Sequence, residues 1–507
     1  MDKVTTLKEL VVSADSRFGD AVFVREYKKR QFVDHSFRQF RADCEAIGAW
    51  INAHFADSVH AAVIGLTSYE YLTAWFGVQF SGNVSVPLDN ANSAERIADE
   101  IVRSDSEIVF FDDNHKNDLE TFKALCPAVK YYIHIHKPCE GALFLGDILA
   151  EYMGKTAVGN PTENDLAAIL FTSGTTGKSK GVMLSHGNLV DNATCEPDLG
   201  YRGNKRMTVL PIHHVYCFTC DILCTLWYGR LLCVNDSLMR ILKNLKVFRP
   251  TDVTFVPMIS ASILNRMRQM AGDGDKLAVG KEVFGEDFSI IYSGGAYLSP
   301  EIIDGYKEFG IEVAQGYGMT ECSPRICSGV KNCPKPLSVG EIVPGCEVRI
   351  VDGEIQVRSK SVMQGYYKNP EETAKTLTED GWLMTGDLGY KDEDGYLYIT
   401  GRKKNLIILS NGENVSPEEI ENQFVTFEPI KEIVVYDNQG KITAEVYPNP
   451  DMEFDDVRAV IQEKIDEVNS GFPAAKQIVS LVIREEEFEK TASKKIIRSS
   501  VTGRQSS

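Results

Sequence analysis

The stretch FTSGTTGKSKGV, residues 171–182, holds three glycines, five Ser/Thr hydroxyls and two lysines in twelve positions. It follows an apolar run, Leu166 to Phe171, that reads as a buried strand. A glycine-rich turn leaving a strand exposes backbone N–H groups and lets phosphate oxygens approach closely. Thr172, Ser173, Thr175 and Thr176 add hydroxyl donors around Gly174 and Gly177, and Lys178 and Lys180 add positive charge. This combination suits a polyphosphate. It is not a Walker loop: that pattern separates its first glycine from its Gly-Lys pair by four residues, and here Gly174 and Gly177 have two between them. A flexible surface loop shares the composition, so the later motifs decide the matter.

Those motifs follow in order. PIHHVYCF, residues 211–218, sets two histidines beside aromatic and apolar residues. YSGGAYLSP, residues 292–300, and IEVAQGYGMTECSP, residues 311–324, each run strand-like residues into a glycine turn. The block GWLMTGDLGYKDEDGYLYITGRKKNLIILSNGENVSPEEIE spans 381–421, and the chain closes with FEKTASKKIIRSS. Taken singly, GYGMTE is a turn with a solvated glutamate, and the basic triplet at 402–404 is a solvated charge run between strands.

Together and in this order they resemble the adenylate-forming superfamily of acyl-CoA synthetases, amino-acid adenylation domains and luciferases. The resemblance runs from about Ala61 to Arg498. It implies ATP and Mg²⁺ as cofactors. The loop from Thr172 to Lys180 would hold phosphates. Gly295 and Ala296 would support the adenine, and Tyr317, beside Gly318, would cover its ring. Thr320 would contact the α-phosphate and Glu321 would position Mg²⁺, as a hard cation favours a carboxylate. Asp387 would accept hydrogen bonds from both ribose hydroxyls, with Arg402 as a second ribose and phosphate contact. The acid pocket would be lined by His213, His214, Tyr216, Phe218, Gly294 and Gly316. Lys495 would be the catalytic lysine, acting with Thr320, Glu321 and His214. Lys404 falls on the family's hinge residue. In two places the chain departs from the pattern. Cys217 stands where many relatives carry glycine, so its side chain narrows or redirects the pocket. Lys494 stands where the C-terminal segment usually has glycine. Histidine, not aspartate, occupies the position that holds a substrate ammonium in amino-acid adenylation domains, and Asp221 comes several residues too late, so an α-amino acid is disfavoured.

The implied reaction activates a carboxylic acid, a medium- or long-chain fatty acid, as an acyl-adenylate with release of pyrophosphate. Transfer to the thiol of CoA then releases AMP. Two alternatives stay open: loading of a phosphopantetheine thiol on an acyl or peptidyl carrier protein, and a catalytically silent ATP- or acyl-binding homologue. A kinase or simple ATPase lacks its own motif, and no Ser/His/Asp arrangement offers a protein nucleophile.

The elements that must position these residues are legible in outline. A chain of 507 residues exceeds one core, so two or more domains are expected. Residues 1–160 alternate strand and helix patterns, which argues for a mostly parallel sheet covered by helices. Phe37, Phe40, Cys44, Ile47 and Ile51 share a helical face after the cap candidate Ser36, and Ser185 can cap a helix from His186. His134 and His136 are expected on a solvated strand edge. The expected fold is α/β: a large N-terminal domain of layered β/α subdomains, residues 1–401, a hinge at 402–404, and a small mobile α+β domain at 405–507. The small domain would hold strands near 406–409, 432–436 and 442–446 and a helix near 455–468.

Composition narrows the partners. The formal net charge of -18 disfavours nucleic acid and an electrostatic anchor on anionic lipid. The most apolar region, 61–88, is broken by Glu70, so no transmembrane segment is expected. The first twenty residues lack the apolar core of a signal peptide, and twelve scattered cysteines fit a reduced, cytoplasmic setting. Cys217, Cys220 and Cys224 suit a helix face better than a zinc site.

Overall fold

The computed structural model describes residues 3–172, 179–196, 203–408, 414–490, 496–498 and 501. The loop residues Ser173, Gly174, Thr175, Thr176, Gly177 and Lys178, and Lys494 and Lys495, lie outside the described residues. The chain forms two compact units. The larger comprises Met1–Leu298, Ile302–Glu347 and Val357–Leu383; the smaller comprises Ser299–Glu301, Val348–Gln356 and Met384–Ser507.

The apolar region at 61–88 is a strand–helix–strand unit: His60–Ile64, Tyr69–Phe80 and Val84–Leu88. The helix is buried on every side except at Glu70, as expected of a helix that is apolar all round. The two strands pair in parallel inside an eight-stranded sheet. Its order is Gly365–Tyr366, Lys180–Ser185, Leu166–Thr172, Val84–Leu88, His60–Ile64, Ser106–Phe111, Tyr131–His134, Leu143–Phe144. The six strands from Leu166–Thr172 onward are parallel. The helix Phe37–His54 starts at Ser36, whose hydroxyl accepts from the Gln39 N–H, and buries Phe37, Phe40, Cys44, Ile47 and Ile51 as its spacing predicts.

A nine-stranded sheet runs Glu341–Ile342, Arg325–Ser328, Glu312–Gly318, Ile290–Ser293, Asp252–Phe255, Lys205–Thr208, Leu231–Val234, Val22–Lys28, Gln31–Ser36. Because strand side chains alternate, one face carries Met207, Val253, Phe255, Ile291 and Val313 into a single apolar core. The opposite face carries Arg206, Asp252, Thr254 and Tyr292, a polar layer beneath the helical segment that begins at Val215.

In the smaller unit, a four-stranded sheet runs Glu347–Val351, Glu354–Arg358, Leu383–Lys391, Leu397–Arg402. A three-stranded sheet runs Ile430–Asn438, Lys441–Pro448, Ser480–Ile483 and packs with the helix Val457–Ser470 around Val435, Ala444, Ile461 and Ile465. This is the expected α/β fold with a smaller α+β unit. Among the described residues no helix is long and apolar enough to cross a membrane.

One expectation fails. The run at 131–136 is not a solvated edge. Tyr131–His134 lies between two strands, and His134 is fully buried. Its Nδ1 accepts the N–H groups of His136 at 3.3 Å and Lys137 at 3.2 Å. A chain leaving a buried strand needs an acceptor for those donors, and the imidazole supplies it.

A second histidine ties the N-terminus down. Ser185 and Asn188 form a reciprocal cap on the helix His186–Thr194. His186 is buried, and its Nδ1 accepts the Leu7 N–H at 3.3 Å. Burial pulls its pKa from the ordinary 6.5 down to about 4. The folded state therefore binds fewer protons than the unfolded chain between those values. The stabilisation is complete above 6.5 and is lost as pH falls toward 4. Between pH 7.5 and 5.5 this amounts to about 1 kcal/mol. The wild type should lose ~2 °C more in melting temperature over that interval than His186→Gln. Parallel losses in the two proteins would refute a neutral His186 that holds the Leu7 N–H.

Candidate active site

Strands Ile290–Ser293 and Glu312–Gly318 are parallel neighbours, with Ser293 opposite Gln315. Ligands of open α/β sheets bind outside the carboxyl ends of such strands, and here both ends run into glycines. A Cβ on Gly294 would lie 2.9 Å from the Tyr216 hydroxyl and 3.1 Å from the Gly316 carbonyl oxygen. The structure thus brings Tyr216, Gly294 and Gly316 together. Gly295 turns the chain with φ +84° before Ala296. Tyr317 pairs with Cys327, and Gly318 sits so close to the returning chain that a Cβ would meet the Pro324 carbonyl oxygen at 2.1 Å. Thr320 and Glu321 follow on a short 3₁₀ turn.

That turn is clamped from two directions. The Asn192 side-chain amide donates to the carbonyls of Cys322 (3.2 Å) and Arg325 (3.0 Å), and its Oδ1 accepts the Arg325 N–H at 3.1 Å. On the other side the Met363 N–H donates to the Glu321 carbonyl at 2.9 Å, and the Tyr366 hydroxyl donates to Glu321 Oε1 at 2.8 Å. Burial and the Glu321 carboxylate both raise the Tyr366 pKa, so the hydroxyl keeps its proton for this bond. Tyr366 pairs with Val182 on the strand that leaves the glycine loop.

Thr172 and Lys180 face each other where that loop's two strands meet. The Lys180 ammonium donates to Glu372 Oε2 at 2.5 Å and lies 5.1 Å from the centre of the Tyr366 ring. Lys180 and then Lys375 hold the Glu372 carboxyl down at about 2. Lys180 is thus bound within a set that leads, through Tyr366, to Glu321.

His213 and His214 open the helical segment Val215–Tyr228, with ring centres 4.3 Å apart. His214 is exposed at the N-cap position. His213 is largely buried with Nε2 3.7 Å from Asp89 Oδ1; burial and the neighbouring His214 keep it neutral, well below its ordinary pKa. Phe218 is packed with its ring centre 4.1 Å from that of Trp75 and is a core residue. From Phe218 to Leu223 the backbone adopts a π turn, a feature frequent at functional sites. It carries Asp221 onto the polar face of the sheet. Thr254 donates to Asp221 Oδ1 at 2.7 Å, and Arg206 donates to Thr254 at 2.6 Å while pairing with Asp221 at 3.3 Å and closely with Asp252. Arg230 shares Asp252 at 3.4 Å. Burial pushes the Asp221 carboxyl up to about 6 despite Arg206. Cys217 is fully buried against Asp221. No group of three or more metal-ligating side chains occurs among the described residues.

In the smaller unit, Asp387 and Arg402 are opposite each other in a hairpin, and Arg402 Nε lies 2.6 Å from Asp387 Oδ1. Asp387 is buried, with its N–H bonded to the Thr385 hydroxyl at 3.0 Å. Lys403 is held by Glu354 at 2.8 Å, and Lys404 lies on the same 3₁₀ turn, Lys403–Asn405.

Sequence reasoning missed Tyr366, Arg325 and Arg206. Arg325 directly follows TECSP, and a charge at the end of an apolar, glycine-rich stretch was a visible signal. Tyr366 lies in QGYYKNPEE just before the helix cap Asn369, and nothing local shows that its partner is Glu321.

The chain matches two family descriptions: AMP-binding enzyme over residues 12–367 and AMP-binding enzyme C-terminal domain over residues 404–505. Long-chain-fatty-acid–CoA ligase FadD15 of Mycobacterium bovis is 29% identical over 504 residues, covering 85% of this chain and 82% of its own. The 4-coumarate–CoA ligase-like 1 of Arabidopsis thaliana is 33% identical over 327 residues, 58% of each chain. The solved anthranilate CoA ligase AuaEII, in complex with anthranoyl-AMP, superposes with a TM-score of 0.86 over 98% of this chain and 97% of that one, at 19% identity, a likeness of fold. With one description matched over most of its length and the other over its C-terminal part, the chain belongs to the AMP-binding enzyme family and is an adenylate-forming acid–thiol ligase with long-chain fatty-acid–CoA ligases among its relatives.

Proposed function

We propose that this enzyme activates a medium- or long-chain fatty acid with ATP and passes the acyl group to CoA. In the first half-reaction a carboxylate oxygen attacks the α-phosphorus, the bond to the β-phosphate breaks, and pyrophosphate leaves. In the second, the CoA thiol loses its proton, sulfur attacks the acyl carbon, and the bond to AMP breaks. A carboxylate alone has oxide as its leaving group, and adenylation replaces it with a phosphate ester.

The observation that carries this reading is Glu321 beside the glycine turns, oriented by the Tyr366 hydroxyl. A carboxylate fixed by one oxygen suits a hard divalent cation among phosphate oxygens. Mg²⁺, when bound, supplies charge that offsets the polyphosphate. The chain's own contributions are then assigned as follows. Thr320 contacts the α-phosphate, and the residues from Thr172 to Lys178, with Lys180, bind the phosphates. Tyr317 covers the adenine, and the Asp387–Arg402 pair receives the ribose diol. Lys180 is oriented for phosphate binding by Glu372 and the Tyr366 ring. Lys495 offsets the charge that builds at phosphorus in the first step. A hinge at 402–404, centred on Lys404, lets the domain at 405–507 exchange its face between the two steps. The fatty-acid and CoA assignments draw support from the name of the Mycobacterium bovis relative.

The first test is acid-dependent pyrophosphate release from ATP and Mg²⁺, with hydroxylamine to trap the adenylate. Release that follows the acid, with AMP and not ADP as product after CoA is added, is expected. Product formed only with a phosphopantetheinylated carrier protein would replace CoA in the assignment. Lys495→Ala should lower adenylation by ~10²–10³ yet keep thioester formation from supplied acyl-adenylate; equal loss of both halves would remove its assigned role. Tyr366→Phe deletes one hydroxyl. It should lower kcat by about 10–100-fold, raise the Mg²⁺ concentration needed for half-maximal rate, and leave the KM for the acid in place. A rise confined to the acid KM would separate Tyr366 from Glu321.

A further inference from the structure

The stretch at 173–178 is flanked by Phe171 and Thr172 on one side and by Ser179 on the other. Both flanks meet one helix, Ala94–Arg103. Ile97, Ala98 and Ile101 seat that helix in a core shared with strands of the eight-stranded sheet. Its C-terminal end is fixed as well. The Ser104 N–H donates to the Glu100 carbonyl at 3.0 Å, and the Ser104 and Ser106 hydroxyls are bonded at 2.8 Å where the next strand begins. A spacing of three places Glu100 and Arg103 side by side on the helix surface.

These two charges share Ser179 between them. The Ser179 hydroxyl donates to Glu100 Oε1 at 2.8 Å and accepts from Arg103 Nη1 at 3.2 Å. Arg103 Nη2 donates to the Ser179 carbonyl. Ser179 and Glu100 are both buried, and hydrogen bonds to charged groups are the strong ones. The same guanidinium lies 5.2 Å from the centre of the Phe171 ring, within cation–π range. Asp99 Oδ2 pairs with Arg103 at 3.3 Å, and Arg96 lies 3.8 Å from Glu100. Arg103 therefore touches the chain on both sides of 173–178.

Closing the two strands does not require this arrangement. Thr172 and Lys180 already pair across the ladder. A buried carboxylate is costly unless it is bonded, and here it is directed at a single serine hydroxyl beside the proposed phosphate-binding residues. We infer that Glu100 and Arg103 are positioning residues for the polyphosphate of ATP, acting through Ser179 and Phe171. They set both ends of 173–178 before the nucleotide arrives, which lessens the ordering that binding must impose. The inference rests on the phosphate role given to this stretch in the adenylation reading above and extends it to a helix some seventy-five residues earlier in the chain. Its effect falls on the β- and γ-phosphates, which ATP has and AMP lacks.

The test compares the dissociation constants of the full chain for ATP with Mg²⁺ and for AMP, by titration calorimetry. Ser179→Ala deletes both hydroxyl bonds and keeps the backbone carbonyl. It should raise the Kd for ATP about tenfold and leave that for AMP within about twofold. Arg103→Ala should show the same pattern, and Arg103→Lys, which keeps a donor for the carbonyl, should recover part of the loss. In turnover, the KM for ATP should rise while thioester formation from supplied acyl-adenylate keeps its rate. An unchanged Kd for ATP in the folded Ser179→Ala and Arg103→Ala variants overturns the inference. Equal weakening of ATP and AMP, or equal loss in both half-reactions, also overturns it by reducing the set to support of the fold. Wild-type protein that binds ATP but releases no pyrophosphate with any acid removes the adenylation reading alone, and the comparison of ATP with AMP still decides this inference.

Discussion

Arg206 is a fully buried cation, and the larger unit is arranged around keeping it paired. Its guanidinium joins its own strand to Asp252 and Thr254 on the next strand and to Asp221 on the helical segment above. Removing one partner of a buried pair typically costs about 3–5 kcal/mol, a large share of a domain's stability. The π turn at Phe218–Leu223 is what brings Asp221 within reach. Because Tyr216 stands just upstream on the same segment, its position against Gly294 depends on that pairing. An electrostatic requirement deep in the sheet thereby fixes a side chain that packs against the glycine turn at Gly294.

The two faces of the nine-stranded sheet divide the labour. One is sealed by aliphatic and aromatic packing and needs no polar partner. The other carries charge and hydroxyls and is the face on which the glycine turns open. Placing polar residues on one parity of each strand confines desolvation costs to a layer where every charge has a mate. The smaller unit repeats the device on a smaller scale, since Asp387 is buried but already partnered by Arg402. A carboxylate held in this way has its direction set by its partner.

Much of this was readable from local pattern. The helix at Phe37–His54, the caps at Ser36 and Ser185, the strand before the glycine loop and the α+β character of the C-terminal part all follow from short-range periodicity and capping chemistry. What could not be read depends on partners far away in the chain. Tyr366 and Glu321 are separated by 45 positions and Arg325 and Glu196 by 129. His134 was misplaced on a solvated edge because alternation fixes which face a residue occupies, not what covers that face. The π turn escaped for a similar reason: its one-residue slip is favoured by Asp221 finding Arg206, a tertiary gain that propensity does not contain.

The two-residue strand Gly365–Tyr366 has a consequence beyond catalysis. It forms one border of the eight-stranded sheet, and the other border, Leu143–Phe144, is equally short. A long open border would offer a ladder of unpaired backbone groups to a neighbouring chain, the usual beginning of aggregation. Here each border offers only a single step. The segment that steadies Glu321 thus also helps to keep crowded copies of the protein from stitching together, so a substitution that unseats residues 365–366 would threaten solubility as well as chemistry.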